Sequence, residues 1–199
     1  MVLSAFYNKL ALLSPRIEVI LRKLYWKNAA RLKSVAKESH EKPEQIQKHV
    51  DFQLVLNWLK ENGVGEGSLL IIHSSYETLE VTGLEPDIIV EKLLGLIGKT
   101  GTLAMPAIRK FKGEPSYAER TGFEKLEVVC KYNTRKTKVS SGVLPYYMVL
   151  REDSEVSRFP LNPMVAIGPL AKAMMKHNID DEWSTPHGPK SAWKFCYDH

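Results

Sequence analysis

The chain is poor in cysteine, with Cys130 and Cys196 the only two among 199 residues. Two thiols without metal-ligand spacing cannot build a disulfide framework or a zinc site. Free thiols in a reducing cytoplasm are therefore expected. Long apolar runs are missing too: nothing approaches the ~18 uninterrupted apolar residues of a bilayer span. Lys9, Arg16 and Glu18 interrupt the N-terminus where a secretory signal needs an apolar core. The expectation is a cytoplasmic protein with no transmembrane segment. No Gly-x-Ser-x-Gly elbow occurs, which removes that route to nucleophilic catalysis. Histidines, cysteines and acids do not cluster as metal ligands, so no metal is expected. The glycine-rich Gly63-Val64-Gly65-Glu66-Gly67 precedes an apolar strand instead of opening a helix, and no Gly-Lys-Ser/Thr follows it. It is a turn, not a phosphate loop. No internal repeat is visible.

What is present suits one globular domain: 44% apolar and 26% charged residues, enough to bury a substantial core. The net charge of +5 is unevenly placed. Residues 1–42 hold nine Lys/Arg against Glu18, Glu38 and Glu41, a charge of +6, which leaves −1 for the remainder. A near-neutral body lacks the basic stripe of a nucleic-acid enzyme, so no nucleic-acid partner is expected. Two regions follow: a basic helical extension over 1–42 and a functional domain over 43–199. In the extension, Leu10, Leu13, Ile17, Ile20, Leu21 and Leu24 recur every three or four residues. That spacing predicts one or two amphipathic helices within 5–38, with Ser14-Pro15 as a start signal. Their apolar face docks on the protein itself or on a second subunit, or it makes peripheral contact with an anionic membrane surface.

The domain reads as alternating helix and strand. A helix is predicted over 44–62, with Ile46, Val50, Leu54 and Leu59 on one face and Gly63 as its left-handed cap. A strand over 69–72 follows, then a helix from Pro86 to Leu96 packed through Ile88, Ile89, Leu93, Leu94 and Ile97, then a strand over 101–105. Residues 107–139 read as a long polar loop over a site, basic early on at Arg109, Lys110 and Lys112. A helix over 140–151, an extended segment over 163–167, a helix near 170–177 and a final helix complete the chain. Strand-helix-strand units of this kind predict a layered α/β/α sandwich around a central mixed sheet.

Chemistry concentrates where the apolar strands stop. Ser68-Leu69-Leu70-Ile71-Ile72 ends in His73-Ser74-Ser75, and Gly101-Thr102-Leu103-Ala104 ends in Met105-Pro106. Strand ends in α/β sheets open crevices for ligands. Hydroxyls, an imidazole and loop amides can hold a phosphate or polarise a carbonyl; equally, the serines can cap a turn while His73 bonds a carbonyl. Arg158, beside Phe159-Pro160, and Asn162-Pro163 suit either a polar ligand or ordinary surface. His187 sits in the stiff Pro186-His187-Gly188-Pro189 loop, as a base or as a solvent-facing loop histidine.

Taken in order, five blocks resemble the aminoglycoside 3-N-acetyltransferase family. They are Leu69-Leu70-Ile71-Ile72-His73-Ser74-Ser75, then Ile97-Gly98-Lys99-Thr100-Gly101-Thr102-Leu103-Ala104-Met105-Pro106, then Gly142-Val143-Leu144-Pro145. Met164-Val165-Ala166-Ile167-Gly168-Pro169-Leu170-Ala171 and His187-Gly188-Pro189 complete the set. The resemblance runs from about residue 44 to the end and leaves the basic extension outside. It implies acetyl-CoA as co-substrate, held by His73, Ser74, Ser75 and Tyr76, with Thr102 and Met105 lining the same crevice. It implies a small-molecule amine acceptor, an aminoglycoside or an amino sugar, and direct attack in a ternary complex; Arg158 and Asn162, read from the residues, are the candidate contacts for that acceptor. The family's pattern has His-Pro where this chain has Phe159-Pro160. Its catalytic His and Glu follow a further Gly-Gly-x-x-Leu-Leu-Leu-Gly strand, whereas this chain stops at Tyr197-Asp198-His199. A fragment, incomplete at the C-terminus, is therefore expected, with the catalytic pair beyond His199 and His187 the candidate base within the chain. A catalytically incomplete acyl-CoA-binding module and a membrane-surface adaptor acting through 5–38 are the competing readings.

Overall fold

Alternation of side chains along short apolar strands decides which helices cover which face. The computed structural model describes residues 49–111, 129–182 and 184–199. The predicted helices within 5–38, the extension over 1–42, residues 44–48 with Ile46, and Lys112 lie outside the described residues. Along the chain run α1 (Phe52–Glu61), β1 (Leu69–Ile71), α2 (Tyr76–Leu79) with a 3-10 turn over Glu80–Thr82, α3 (Pro86–Ile97) and β2 (Thr102–Pro106). Then come α4 (Val143–Leu150), β3 (Ser154–Val156), β4 (Met164–Ile167), α5 (Ala171–Lys176) and α6 (Ala192–Asp198).

The four strands form one sheet in the order β1-β2-β4-β3. β1 lies parallel to β2, with Leu70 opposite Leu103, and the β2–β4 and β4–β3 pairs are antiparallel. Period-2 alternation then divides the side chains. Leu103, Met105, Val156, Val165 and Ile167 join Phe52, Leu56, Ile89, Leu93 and Leu144 in a core beneath α1, α3 and α4. Ala104, Met164 and Ala166 meet Ala171, Met174, Met175 and Ala192 in a second core beneath α5 and α6. The sheet is mixed and sandwiched between helical layers, as the sequence predicts. Each fully buried Leu, Met or Val in these layers contributes about 1.5–3 kcal/mol.

Local differences have local causes. α1 starts at Phe52 because Asp51 caps it, its carboxylate accepting the Gln53 amide at 2.8 Å. From that start Phe52 and Leu56 face the core, while Val50 and Leu54 stay exposed, so the predicted face is rotated. Gly63 follows the helix at φ +87°, the left-handed stop expected of it. In α3 the buried residues include Val90, whereas Ile88 faces outward. β3 was not anticipated, because three residues are too few to register a period.

Of the predicted loop over 107–139, residues 112–128 lie outside the described residues, and the described flanks are tied down. Arg109 and Val139 form a β-bridge, and the Ser140 amide donates to the Ile108 carbonyl at 2.7 Å. The Arg109 side chain is buried and donates to the carbonyls of Thr137 and Thr134 at 2.7 and 2.9 Å. Burial pushes the Arg109 guanidinium below its usual range and the neighbouring Tyr132 hydroxyl above its own. Arg135 donates to the carbonyls of Val149, Arg151 and Ser154, tying the end of α4 to β3. These cations are structural.

Candidate functional site

Because β1 and β2 run parallel and β4 runs against them, the exits of β1 and β2 share one end of the sheet with the start of β4. The Ala107 amide donates to the Pro163 carbonyl at 2.7 Å across that end. A cleft of about 430 Å³ opens there, lined by Ile72, His73, Ser74, Ser75, Met105, Pro106, Ile108, Ser141 and Pro145. His73 and Ser75 are exposed, while Met105 forms a buried floor. The Ser74 hydroxyl is buried and has no hydrogen-bond partner. A buried donor left unpaired costs about 1–3 kcal/mol, a cost that a hydrogen-bonding group in the cleft would relieve.

The far wall is built by the start of α4. Ser141 donates to the Pro106 carbonyl at 2.7 Å and accepts the Ile108 amide at 3.1 Å, so its hydroxyl serves the wall. Gly142 stands at the N-terminus of α4 with φ +134°, and no side chain caps the helix. A Cβ on Gly142 would lie 3.8 Å from the Ser74 carbonyl, so the helix opens close to the serine loop. Free amides of a first helical turn carry partial positive charge, which favours phosphate or a developing oxyanion. Within the described residues the cleft therefore offers a buried hydroxyl, an exposed hydroxyl, an imidazole and a helix N-terminus around an apolar floor.

Beside the cleft lies a ring cluster on the α5–α6 side. The Trp193 ring sits 5.7 Å from His73 and 5.6 Å from His187, centroid to centroid. The Trp193 indole N–H donates to the Asn162 carbonyl at 2.9 Å. The Asn162 side-chain amide meets His187 Nε2 at 3.0 Å. Asn162 itself holds a left-handed backbone at φ 52°, a conformation asparagine tolerates better than most residues.

The residues singled out from sequence thus separate into groups. His73, Ser74, Ser75 and Met105 converge on the cleft. Asn162 and His187 meet in the ring cluster. Tyr76 does not line the cleft: its hydroxyl donates to the Leu84 carbonyl at 3.0 Å and its ring packs on the α1–α3–α4 core. Thr102 lies at the opposite end of β2, fully buried, where its hydroxyl accepts the Leu170 amide at 3.1 Å. Arg158 is exposed in a separate shallow basic cavity of about 310 Å³ with Arg135, Lys172 and Lys176. Sequence reasoning missed Ser141, Ile108, Pro145 and Trp193. The pair Ser140-Ser141 before Gly142 was a readable helix-start signal, but nothing local distinguished Trp193.

His177 pairs with Asp180. That hydrogen bond holds the Asp180 carboxyl below the usual carboxylate range. The pair is exposed and lines neither the cleft nor the ring cluster. Among the described residues no group of three or more His, Cys, Asp or Glu is placed to hold a metal. No helix there is long and apolar enough to cross a membrane.

The family model for aminoglycoside 3-N-acetyltransferase matches residues 71–199. No curated protein sequence matches the chain. Among solved structures, the aminoglycoside acetyltransferase AAC(3)-IVa apoenzyme is similar, with TM-score 0.59 and 22% identity over 78% of this chain and 53% of its own. AAC(3)-Xa is similar with TM-score 0.55 and 22% identity over 72% and 51%. AAC(3)-IIb is similar with TM-score 0.57 and 19% identity over 76% and 56%. The chain spans about half the length of these structures. At such identities the likeness shows the fold.

Proposed function

Because the chain belongs to the aminoglycoside 3-N-acetyltransferase family, we propose that residues 43–199 supply the acetyl-CoA side of an N-acetyl transfer to an aminoglycoside or amino sugar. The observation that carries this reading is the unpartnered, buried Ser74 hydroxyl in a cleft at the exits of two parallel strands. His73, Ser74, Ser75 and Met105 line the cleft, and the start of α4 faces it; together they suit the phosphates and amides of CoA. Tyr76 packs behind the serine loop, and Thr102 belongs to the opposite end of β2.

In the reaction we propose, the acceptor amine attacks the thioester carbonyl directly within a ternary complex. A C–N bond forms, the C–S bond breaks, and the sulfur leaves as CoA thiolate. The attacking nitrogen gives up its proton to a base, and the thiolate is protonated in turn. Asn162 stands at the same end of the sheet and is our candidate contact for the acceptor; Arg158, turned to another cavity, is at most a peripheral one. Among the described residues the imidazoles at this end are His73 and His187, and neither meets a carboxylate. That observation favours a second reading, in which this chain binds the thioester without efficient turnover.

Calorimetry with CoA tests the shared part. Changing Ser74 and Ser75 together to Ala weakens binding by roughly 1–3 kcal/mol if both hydroxyls bond the ligand; unchanged affinity removes them from the site. Thiol release from acetyl-CoA in the presence of aminoglycoside or amino-sugar acceptors then separates the readings. Binding without release supports the module, and release supports the transferase.

A further inference from the structure

Four residues far apart in sequence meet at the edge of the cleft: His73 after β1, Asn162 before β4, His187 in the Pro-flanked loop and Trp193 on α6. Trp193 is the member common to three of the contacts. Its ring meets both imidazoles at 5.7 and 5.6 Å, tilted by 41° and 56°, and its indole N–H donates to the Asn162 carbonyl at 2.9 Å. The indole is itself fixed from behind. Ser191 caps α6 by accepting the Lys194 amide at 3.1 Å, and Ala192, next to the tryptophan, is buried against the α5–α6 core. Asn162 holds its left-handed backbone with both its carbonyl and its side-chain amide engaged. Two tertiary bonds on one residue make Asn162 an anchor point for the indole.

His73, by contrast, is exposed, and its ring contact is with Trp193. Left to itself, an exposed imidazole at a strand exit samples several rotamers. Held against an anchored indole it keeps one, and the entropy of ordering it is not charged to the ligand. Trp193 does not line the cleft, and its ring contact with His73 is its direct link to a residue that does. We propose that Trp193 is a positioning residue: it fixes the His73 imidazole at the cleft lip, and thereby sets the affinity of the cleft for the CoA thioester. This rests on the reading of the cleft as a CoA site. His187 and Asn162 brace the indole on its other side.

A double-mutant cycle on the full chain, read by calorimetry with CoA as the probe, tests this. Trp193→Ala and His73→Ala each raise Kd about threefold to tenfold, the range of an aromatic-pair contact. The double variant binds no more weakly than His73→Ala alone, because the imidazole that Trp193 served is already gone. Trp193→Phe, which keeps a ring against His73 and loses the bond to Asn162, stays within about twofold of the unchanged chain by the same aromatic-pair argument. A merely structural role would show as parallel losses in melting temperature and as Kd changes that multiply in the double variant. Multiplying losses overturn the proposal, as does a Trp193→Phe variant as weak as Trp193→Ala. So does an unaltered Kd in Trp193→Ala. Should Trp193→Ala melt below the assay temperature, Trp193→Leu replaces it in the cycle, keeping apolar bulk without a ring. If the unchanged chain takes up no CoA, the reading of the cleft falls and this inference with it. If the chain binds CoA and the Ser74/Ser75 variant weakens it while Trp193 variants do not, this inference falls alone.

Discussion

The two ends of one sheet differ in how their polar groups are used. At the end where β2 begins, the hydroxyls are paired: Thr102 Oγ1 accepts the Leu170 amide, and Thr100 Oγ1 donates to Glu66 at 2.6 Å, although an open cavity of about 630 Å³ lies beside Gly101 and Gly168. A Cβ placed on Gly168 there would lie 2.3 Å from the Gly101 carbonyl. At the end where β2 finishes, small polar side chains line open space, and the Ser74 hydroxyl has no partner. The same strands therefore carry a structural end and an available end. What separates the ends is not open space but hydroxyl pairing, complete for Thr100 and Thr102 and missing for Ser74.

The largest expected effect comes from exchanging one glycine at each end. Gly168 has φ +125° and is pressed against backbone; Gly142 has φ +134°, but a Cβ there meets nothing closer than 3.8 Å. Gly168→Ala therefore suffers both backbone strain and collision, about 3–5 kcal/mol or loss of folding. Gly142→Ala suffers strain alone, about 1–2 kcal/mol. Urea denaturation of both variants checks this, and equal losses would erase the distinction between the ends.

A pair of hydroxyls sharpens it. Thr102→Val leaves the Leu170 amide without its acceptor and costs about 1–3 kcal/mol of stability. CoA affinity is unaffected, since Thr102 lies away from the cleft. Ser74→Ala removes a buried hydroxyl that no protein group uses, so stability does not fall and rises by up to about 1–3 kcal/mol while CoA affinity falls. If denaturation and calorimetry report the two variants as interchangeable, the ends are not functionally distinct.

This division also explains what could be read from sequence. The strand exits at His73-Ser74-Ser75 and Met105-Pro106 were legible because an apolar run that stops in hydroxyls needs no partner to be recognised. The existence of β2 and β4 was legible as short apolar runs, but their layer assignment was not, because every residue of both strands is buried. Thr102 was misplaced because a strand signal does not say which end of the strand a ligand meets; its neighbours Gly101 and Leu103 look alike from either side. Tyr76 was misplaced because its partner, the Leu84 carbonyl, is a backbone group with no sequence signature. Arg109 read as loop charge, yet it is buried on carbonyls supplied from 25 and 28 residues away. Trp193 joined the site only through tertiary contact with His73, Asn162 and His187. Local chemistry was visible, and long-range pairing was not.

The smallest effect expected is electrostatic and belongs to the end where β2 begins. Arg151 donates to both carboxylate oxygens of Asp153, at 2.9 and 2.8 Å, and also pairs with Glu91. The fork on Asp153 holds that carboxyl below its ordinary value. A group whose folded pKa is depressed contributes its stability in full above the unfolded carboxylate value, near about 3.9. That contribution is lost as pH falls through the lower folded value. The Asp153 side chain is 54% exposed, so solvent screening limits the pair to about 0.2–1 kcal/mol. Asp153→Asn should thus cost that little at neutral pH and flatten the part of the stability profile that declines below about pH 4. CoA affinity at neutral pH should not change, because the pair sits across the sheet from the cleft. Urea midpoints measured for both chains from neutrality downwards carry the test. Parallel profiles would mean that the fork contributes nothing. An accompanying loss of CoA binding would mean that the two ends are energetically coupled, which the paired and unpaired hydroxyls argue against.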